Sequence, residues 1–145
     1  MPRRKYYFAY GSNMDTQRMQ ARCPGARLVG PVTLAGFRLA ERLYADIEQQ
    51  DGATVDGILW AVTKQHLKRL DECEGTANGV YRRRICTVVT EGNAMTAVAY
   101  EMTEQARRQR CGCAYPEWYR RICARGASQH GLADTFTKTA TEETA

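Results

Sequence analysis

One aromatic run that stops on three small or polar residues constrains this chain more than any other feature. Tyr6-Tyr7-Phe8-Ala9-Tyr10 leads straight into Gly11-Ser12-Asn13. Aromatic residues in succession favour a strand, and the lack of a polar face means that the fold must bury it. Gly-Ser-Asn breaks the strand and offers consecutive backbone N–H groups at the entrance to a helix, an arrangement suited to a small anionic ligand. A second segment, Leu70-Asp71-Glu72-Cys73-Glu74-Gly75, supplies carboxylates at a helix end. Together the two segments point to an active site.

The remaining sequence reads as mixed α and β. Residues 5–10 form a strand, and Ser12 or Asn13 caps a short helix over residues 15–22 that Cys23-Pro24-Gly25 stops. Residues 26–41 read as one or two strands, bent near Gly30-Pro31 and again near Gly36. The polar stretch 46–52 reads as a loop or hairpin tip, and residues 53–62 as another strand. Thr63 caps a helix over 64–73 whose Leu67 and Leu70 face the core. Residues 81–90 and 94–102 flank Glu91-Gly92-Asn93 as a β-hairpin. A helix over 116–129 follows and ends before Gly131.

A chain of 145 residues has room for one domain with a single core. That domain is expected over 1–132, with a Thr- and Glu-rich tail over 133–145 that the fold leaves flexible. Neither an internal repeat nor a second domain is visible. No apolar run reaches membrane length, and the basic start lacks the apolar stretch of a signal peptide, so a cytoplasmic protein is expected. Six cysteines in such a chain read as reduced thiols rather than a disulfide scaffold. Cys111-Gly112-Cys113 has the wrong spacing for a zinc knuckle and only two histidines are available to complete one, so no metal site is expected. The net charge of +5 comes from 17 arginines and four lysines against 16 acids. Nucleic-acid binding competes with a plain solvated basic surface. The second reading is preferred, because the arginines at 82–84, 107–110 and 120–121 are scattered over several elements. A basic field also draws acidic substrates into a cleft.

Read in order, the motifs resemble the γ-glutamylcyclotransferase family. Tyr10-Gly11-Ser12-Asn13 after a hydrophobic strand carries the resemblance. So does Gly57-Ile58-Leu59-Trp60, leading through a short helix to Glu74-Gly75 and then Tyr81-Arg82-Arg83. Ala99-Tyr100-Glu101-Met102 and the later Tyr119-Arg120-Arg121-Ile122-Cys123 with Gly126-Ala127 and Gly131-Leu132 complete it, over about residues 5–132. The resemblance implies an α+β fold, a small, partly closed mixed β-barrel flanked by helices. It also implies a reaction, in which a γ-glutamyl amino acid or γ-glutamyl amine cyclises to 5-oxoproline and releases the amine. The substrate's own α-amine is the nucleophile, so the reaction needs no protein nucleophile, metal or cofactor.

By the same resemblance Glu74 is the catalytic acid/base. The C-terminal end of its helix disfavours negative charge, and burial would raise its pKa further. On the residues alone, Asp71 and Glu72 remain alternatives. The γ-glutamyl part is expected on the loop Tyr7, Phe8, Ala9, Tyr10, Gly11, Ser12 and Asn13, with Tyr100 donating its hydroxyl into the cavity and Tyr81 a weaker lining candidate. Cys73, between two acids that would raise its thiol pKa, reads as packing. His66 reads as a surface residue and His130 as a capping or solvated one. The polar stretch 40–52 departs from the longer segment of animal members, which leaves the released amine open. A homodimer is a family-level expectation. The competing class is a catalytically silent binding or regulatory protein of the same fold, with an acidic or nucleic-acid partner.

Overall fold

The structure is a computed structural model and describes residues 4–136. Strand β1 (Lys5–Ala9) runs into a 3-10 turn (Ser12–Met14) and helix α1 (Thr16–Arg22). Two long strands, β2 (Arg27–Arg42) and β3 (Tyr44–Val62), are followed by helix α2 (Lys64–Cys73) and a second 3-10 turn (Thr76–Asn78). The hairpin β4 (Tyr81–Thr90) and β5 (Asn93–Met102) leads into helices α3 (Glu104–Arg110) and α4 (Glu117–Gln129).

The strands form a closed barrel in the order β1-β3-β2-β4-β5. It is mixed, because β1 pairs antiparallel with β3 (Ala9 opposite Ile58) but parallel with β5 (Tyr7 opposite Val98). The expected α+β barrel is therefore present, and it closes fully rather than partly. Two of its seams rest on single pairs, Tyr7 with Val98 and Thr33 with Val89. The β4–β5 turn is Glu91-Gly92 with φ of 45° and 82°. Both residues being left-handed gives the turn a twist that matches the strands.

Burial follows the sequence pattern where that pattern is apolar. Phe8, Ile58, Leu59 and Trp60 are buried in the centre of the core, and Leu67 and Leu70 seal α2 against it. At Gly57 a Cβ would stand 2.5 Å from the Ala9 carbonyl oxygen and 2.6 Å from the Phe8 ring, so β1 and β3 approach this closely only over a glycine.

Three expectations change. Residues 46–52 are not a loop: β3 already begins at Tyr44, and the chain reverses at Leu43, whose φ is +67°. Asp46 is fully buried in this strand because Arg42, Arg107 and the N–H groups of Ile47 and Met102 all donate to its carboxylate. Paired in this way, an acid that reads as a loop residue sits between the buried Ala45 and Ile47. The irregularity lies slightly later, where β2 skips from Thr54 opposite Ala35 to Gln49 opposite Phe37. Second, the N-cap of α1 is Asp15 rather than Ser12 or Asn13, and its carboxylate accepts from the Arg18 N–H at 2.9 Å. Third, α3 was not foreseen; Thr103 caps it and Ala106 is its buried residue. Within the expected tail, Phe136 is buried and its carbonyl accepts from Arg120. Residues 137–145 of that tail lie outside the described residues.

Candidate active site

A cavity of about 290 Å³ opens where the turn after β1, the end of α2, the β2–β3 hairpin tip and the starts of α1 and α4 converge. From the β1 side come Tyr7, Tyr10, Gly11, Ser12 and Asn13, and from α2 Glu72, Cys73, Glu74 and Gly75. Tyr81 and Tyr100 line it from the β4–β5 hairpin. Phe8 and Ala9, expected among the substrate contacts, do not line it. Both are buried in the barrel core, with the Phe8 ring and the Ala9 carbonyl seated against Gly57.

The turn is held rigidly by its own side chains. Asn13 donates through Nδ2 to the Tyr7 hydroxyl at 3.0 Å and accepts from Arg22 at 3.1 Å, while its carbonyl accepts from the Trp60 indole at 3.1 Å. Ser12 Oγ accepts from Arg18 Nε at 2.9 Å. Beneath the turn, the fully buried Asp15 takes two hydrogen bonds from Arg125 (2.7 and 2.9 Å) and one from Gln129 (2.9 Å), tying α4 to α1. The first N–H groups of the 3-10 turn have no partner within it, which leaves them available to a ligand. Gly11 is required at its position, since a Cβ would stand 2.7 Å from the Tyr119 hydroxyl. That hydroxyl in turn accepts from the Ala45 N–H at 3.1 Å.

Of the three acids at the end of α2, the geometry singles out one. Glu72 is exposed and paired with Arg69. Asp71 is bound by both arms of Arg83 and by the Tyr100 hydroxyl at 2.6 Å. Burial pushes its carboxyl up, but these bonds outweigh it and hold the pKa below its ordinary value. Glu74 is the C-cap of α2, in the cavity wall, and among the described residues no ion pair or hydrogen bond occupies its carboxyl. Burial pushes it up from 4.5 to about 7, against a smaller opposite pull from Arg22 and Arg18. A group with this pKa both accepts and releases a proton near neutral pH.

The tyrosines divide by function. Tyr10 donates to the Tyr100 carbonyl and Tyr81 to the Ala45 carbonyl at 2.7 Å, so both brace the wall. Tyr100 lines the cavity, but its hydroxyl is spent on Asp71 instead of pointing free into the space. The Tyr7 hydroxyl accepts from Asn13 and keeps its own proton to donate; burial, then the nearby Glu74 charge, hold that proton on. Cys73 is part of the cavity wall, beyond the packing role read from its neighbours. His66 is not a bare surface residue: it completes a capping box with Thr63, and its other ring nitrogen donates to the Pro24 carbonyl at 2.7 Å. The ring of His130 meets the Met14 carbonyl at 3.1 Å. Among the described residues no cluster of three or more His, Cys, Asp or Glu is placed to hold a metal. Among them, too, no helix is long and apolar enough to cross a membrane.

Reading by residue type missed the cations and part of the aromatic rim. Arg18 and Arg22 line the cavity, half-buried, as does Arg110 from α3. Tyr44, Trp118 and Tyr119 form a ring cluster at the rim, with centroids 4.9 to 6.1 Å apart. An i, i+4 pair of arginines just after the turn was the available signal, because that spacing puts both on one helix face.

The sequence profile of the family described as "Gamma-glutamyl cyclotransferase, AIG2-like" matches residues 7–120, a span that contains the turn, Glu74, Tyr100 and Tyr119. The mouse protein named gamma-glutamylcyclotransferase is 34% identical, the alignment covering 90% of this chain and 73% of that protein. Its bovine counterpart is 31% identical over 91% of this chain and 74% of its own length. A solved structure described as a gamma-glutamyl cyclotransferase superposes with a TM-score of 0.74 at 26% identity, covering 97% of this chain and 96% of that one. A human protein solved as uncharacterized gives 0.77 at 28% identity, with 97% and 95% covered. With the family profile matching residues 7–120 and relatives 31% and 34% identical over about nine-tenths of it, the chain belongs to the gamma-glutamyl cyclotransferase, AIG2-like family.

Proposed function

We propose that the protein cyclises a γ-glutamyl amino acid or γ-glutamyl amine to 5-oxoproline and the free amine, with Glu74 as acid and base in turn. The observation that carries this reading is the Glu74 carboxyl, unpaired in a cavity and raised to about 7. The names of the mouse and bovine relatives support the same chemistry.

The γ-glutamyl α-ammonium first loses a proton to ionised Glu74. The freed amine attacks the γ-carbonyl carbon of its own chain, forming the ring C–N bond and a tetrahedral oxyanion. Protonated Glu74 then delivers its proton to the departing nitrogen as the old C–N bond breaks. The carboxylate so returned takes the second proton from the ring nitrogen, which still carries two hydrogens after the attack, and passes it to the freed amine, which leaves as the ammonium. Proton and electron pairs balance within substrate and Glu74, so no protein nucleophile takes part.

The chain's task is mainly to fold the substrate. A well-oriented intramolecular attack reaches effective molarities on the order of 10⁵ M or more. Arg18 and Arg22, anchored on Ser12 and Asn13, provide charge for the α-carboxylate beside the turn's N–H groups. The Tyr7 hydroxyl proton and the turn supply donors for the oxyanion. Burial raises Cys23 and Cys86 to about 11 and Cys123 to about 12, so these three thiols are poorly suited to a competing covalent route. The reading is tested by incubating the protein with a panel of γ-glutamyl amino acids and amines and measuring 5-oxoproline. Release from at least one member is expected. No release from any, at enzyme concentrations that would show one turnover per hour, contradicts it and favours a silent binding protein of the same fold.

A further inference from the structure

The turn of α2 that carries Glu74 has no apolar anchor of its own. Leu67 and Leu70 bury the earlier part of the helix, but none of Asp71, Glu72, Cys73 and Glu74 is fully buried. A helix end that buries no apolar residue frays unless polar bonds hold it. Here one side chain gathers those bonds. The Asp71 carboxylate accepts from Arg83 Nε and Nη2 at 2.8 and 2.7 Å and from the Tyr100 hydroxyl at 2.6 Å. Its carbonyl accepts from Thr76 Oγ1 at 3.3 Å, from beyond Glu74 in the chain. The Tyr100 hydroxyl also stands 3.3 Å from the Leu67 carbonyl, so it meets two successive turns of α2.

Asp71 is in no position to move a proton itself. Burial pushes its carboxyl up, but the bonds from Arg83 and Tyr100 outweigh it and keep the group ionised. The charges that act on Glu74 come from α1, from Arg22 and Arg18. Asp71 therefore reaches Glu74 through the helical turn between them. The brace also touches the other side of the cavity, because the Tyr100 ring packs edge-on against Tyr7, with centroids 5.9 Å apart. Its two partners are unequal. Arg83 is 43% exposed, which weakens its ion pair, whereas Tyr100 is buried.

We infer that Asp71 is a positioning residue for the reaction: by gripping the Tyr100 hydroxyl it docks the last turn of α2 on β5 and holds the Glu74 carboxyl in the cavity wall. The inference rests on Glu74 being the acid and base proposed above, and adds the group that keeps it in place.

The test compares wild type with Asp71→Ala, Tyr100→Phe and the double variant. Release of 5-oxoproline is followed between pH 5 and pH 9, on whichever γ-glutamyl compound the wild type cyclises fastest. Each single change is expected to lower kcat about tenfold, the worth of a hydrogen bond to a charged group. KM stays unchanged, since the turn, Arg18 and Arg22 are untouched. The double variant falls no further than the singles, because both remove the same bond. Asp71→Asn recovers part of the loss, as its amide oxygen still accepts from Tyr100. With the turn loosened, water reaches Glu74, and the rise of activity with pH moves below the wild-type value of about 7. Tyr100→Phe removes no charge, so its shift reports burial alone. A merely structural role lowers thermal stability and leaves kcat and this pH in place. Wild-type kcat in the singles, losses that multiply in the double variant, or an unmoved pH profile overturns the inference. Tyr100→Phe keeps the ring and decides the matter if Asp71→Ala does not fold. No 5-oxoproline from wild type, or undiminished release by Glu74→Gln, faults the acid–base reading itself, and the inference falls with it.

Discussion

Replacing Glu74 with Gln should inactivate the protein and stabilise it at the same time, with a gain that depends on pH in a set direction. Folding raises this carboxyl from 4.5 to about 7, burial being the main cause. A carboxyl with a raised pKa holds its proton more tightly when folded. Its stabilising contribution is therefore full below about 4.5 and is lost as the pH rises through 7. At about 1.4 kcal/mol per pH unit, the gap corresponds to a loss of about 3 kcal/mol above pH 7. That figure is a ceiling, since Glu74 is only half-buried and solvent screens part of its charge. Gln keeps the shape, carries no charge and escapes the loss. Thermal unfolding of both proteins at pH 4.5 and pH 8 reads the effect directly. At about 3 °C per kcal/mol for a domain of this size, the variant gains up to about 10 °C at pH 8 and close to nothing at pH 4.5. A variant less stable than wild type at pH 8, or one with the same offset at both pH values, refutes the claim that burial holds Glu74 near neutrality.

Three further outcomes follow from the same geometry. Because Glu74 must be ionised to take the α-ammonium proton, kcat/KM should rise with pH through about 7; a flat profile between pH 5 and pH 9 contradicts its role as base. Gly11→Ala puts a Cβ 2.7 Å from the Tyr119 hydroxyl and 3.3 Å from the Ala45 Cβ. Tyr119 should then leave the Ala45 N–H, with KM rising about tenfold, the worth of one hydrogen bond, and unchanged kinetics would show that the wall yields harmlessly. Asp15→Ala strips the buried end of the Arg125 pair and a helix cap together. Urea unfolding should show a loss of about 2 kcal/mol, below that of a fully buried pair because Arg125 is half exposed.

What the sequence disclosed and what it hid have physical causes. Strand β1, the β4–β5 hairpin and α2 follow from apolar runs, a Glu-Gly turn and a Thr cap, all local signals. The first half of β3 was hidden because Asp46 is buried by partners remote in sequence, Arg107 and the Met102 N–H. Helix α3 offered no apolar periodicity, with Ala106 as its buried residue. It stands on its Thr103 cap and on the ion pairs of Arg107. At the site, Glu74 and the turn were legible through the resemblance, whereas Arg110 was read with its neighbours as a solvated basic surface and Arg18 and Arg22 were not singled out. Their burial arises only when the turn, α1 and the rim rings come together. Phe8 and Ala9 belong to the informative segment, but strand packing directs their side chains into the core.

The central claim is that one carboxylate in this cavity moves the proton while the substrate attacks itself. Incubating γ-glutamylalanine with wild-type protein and with Glu74→Gln, and quantifying 5-oxoproline and alanine in the same samples, tests it most directly. The account predicts equal molar amounts of the two products from wild type and a loss of about a thousandfold or more in the variant, within the range that positioned acid–base groups contribute. Alanine released without 5-oxoproline, or a variant that turns over at a near-normal rate, would contradict it.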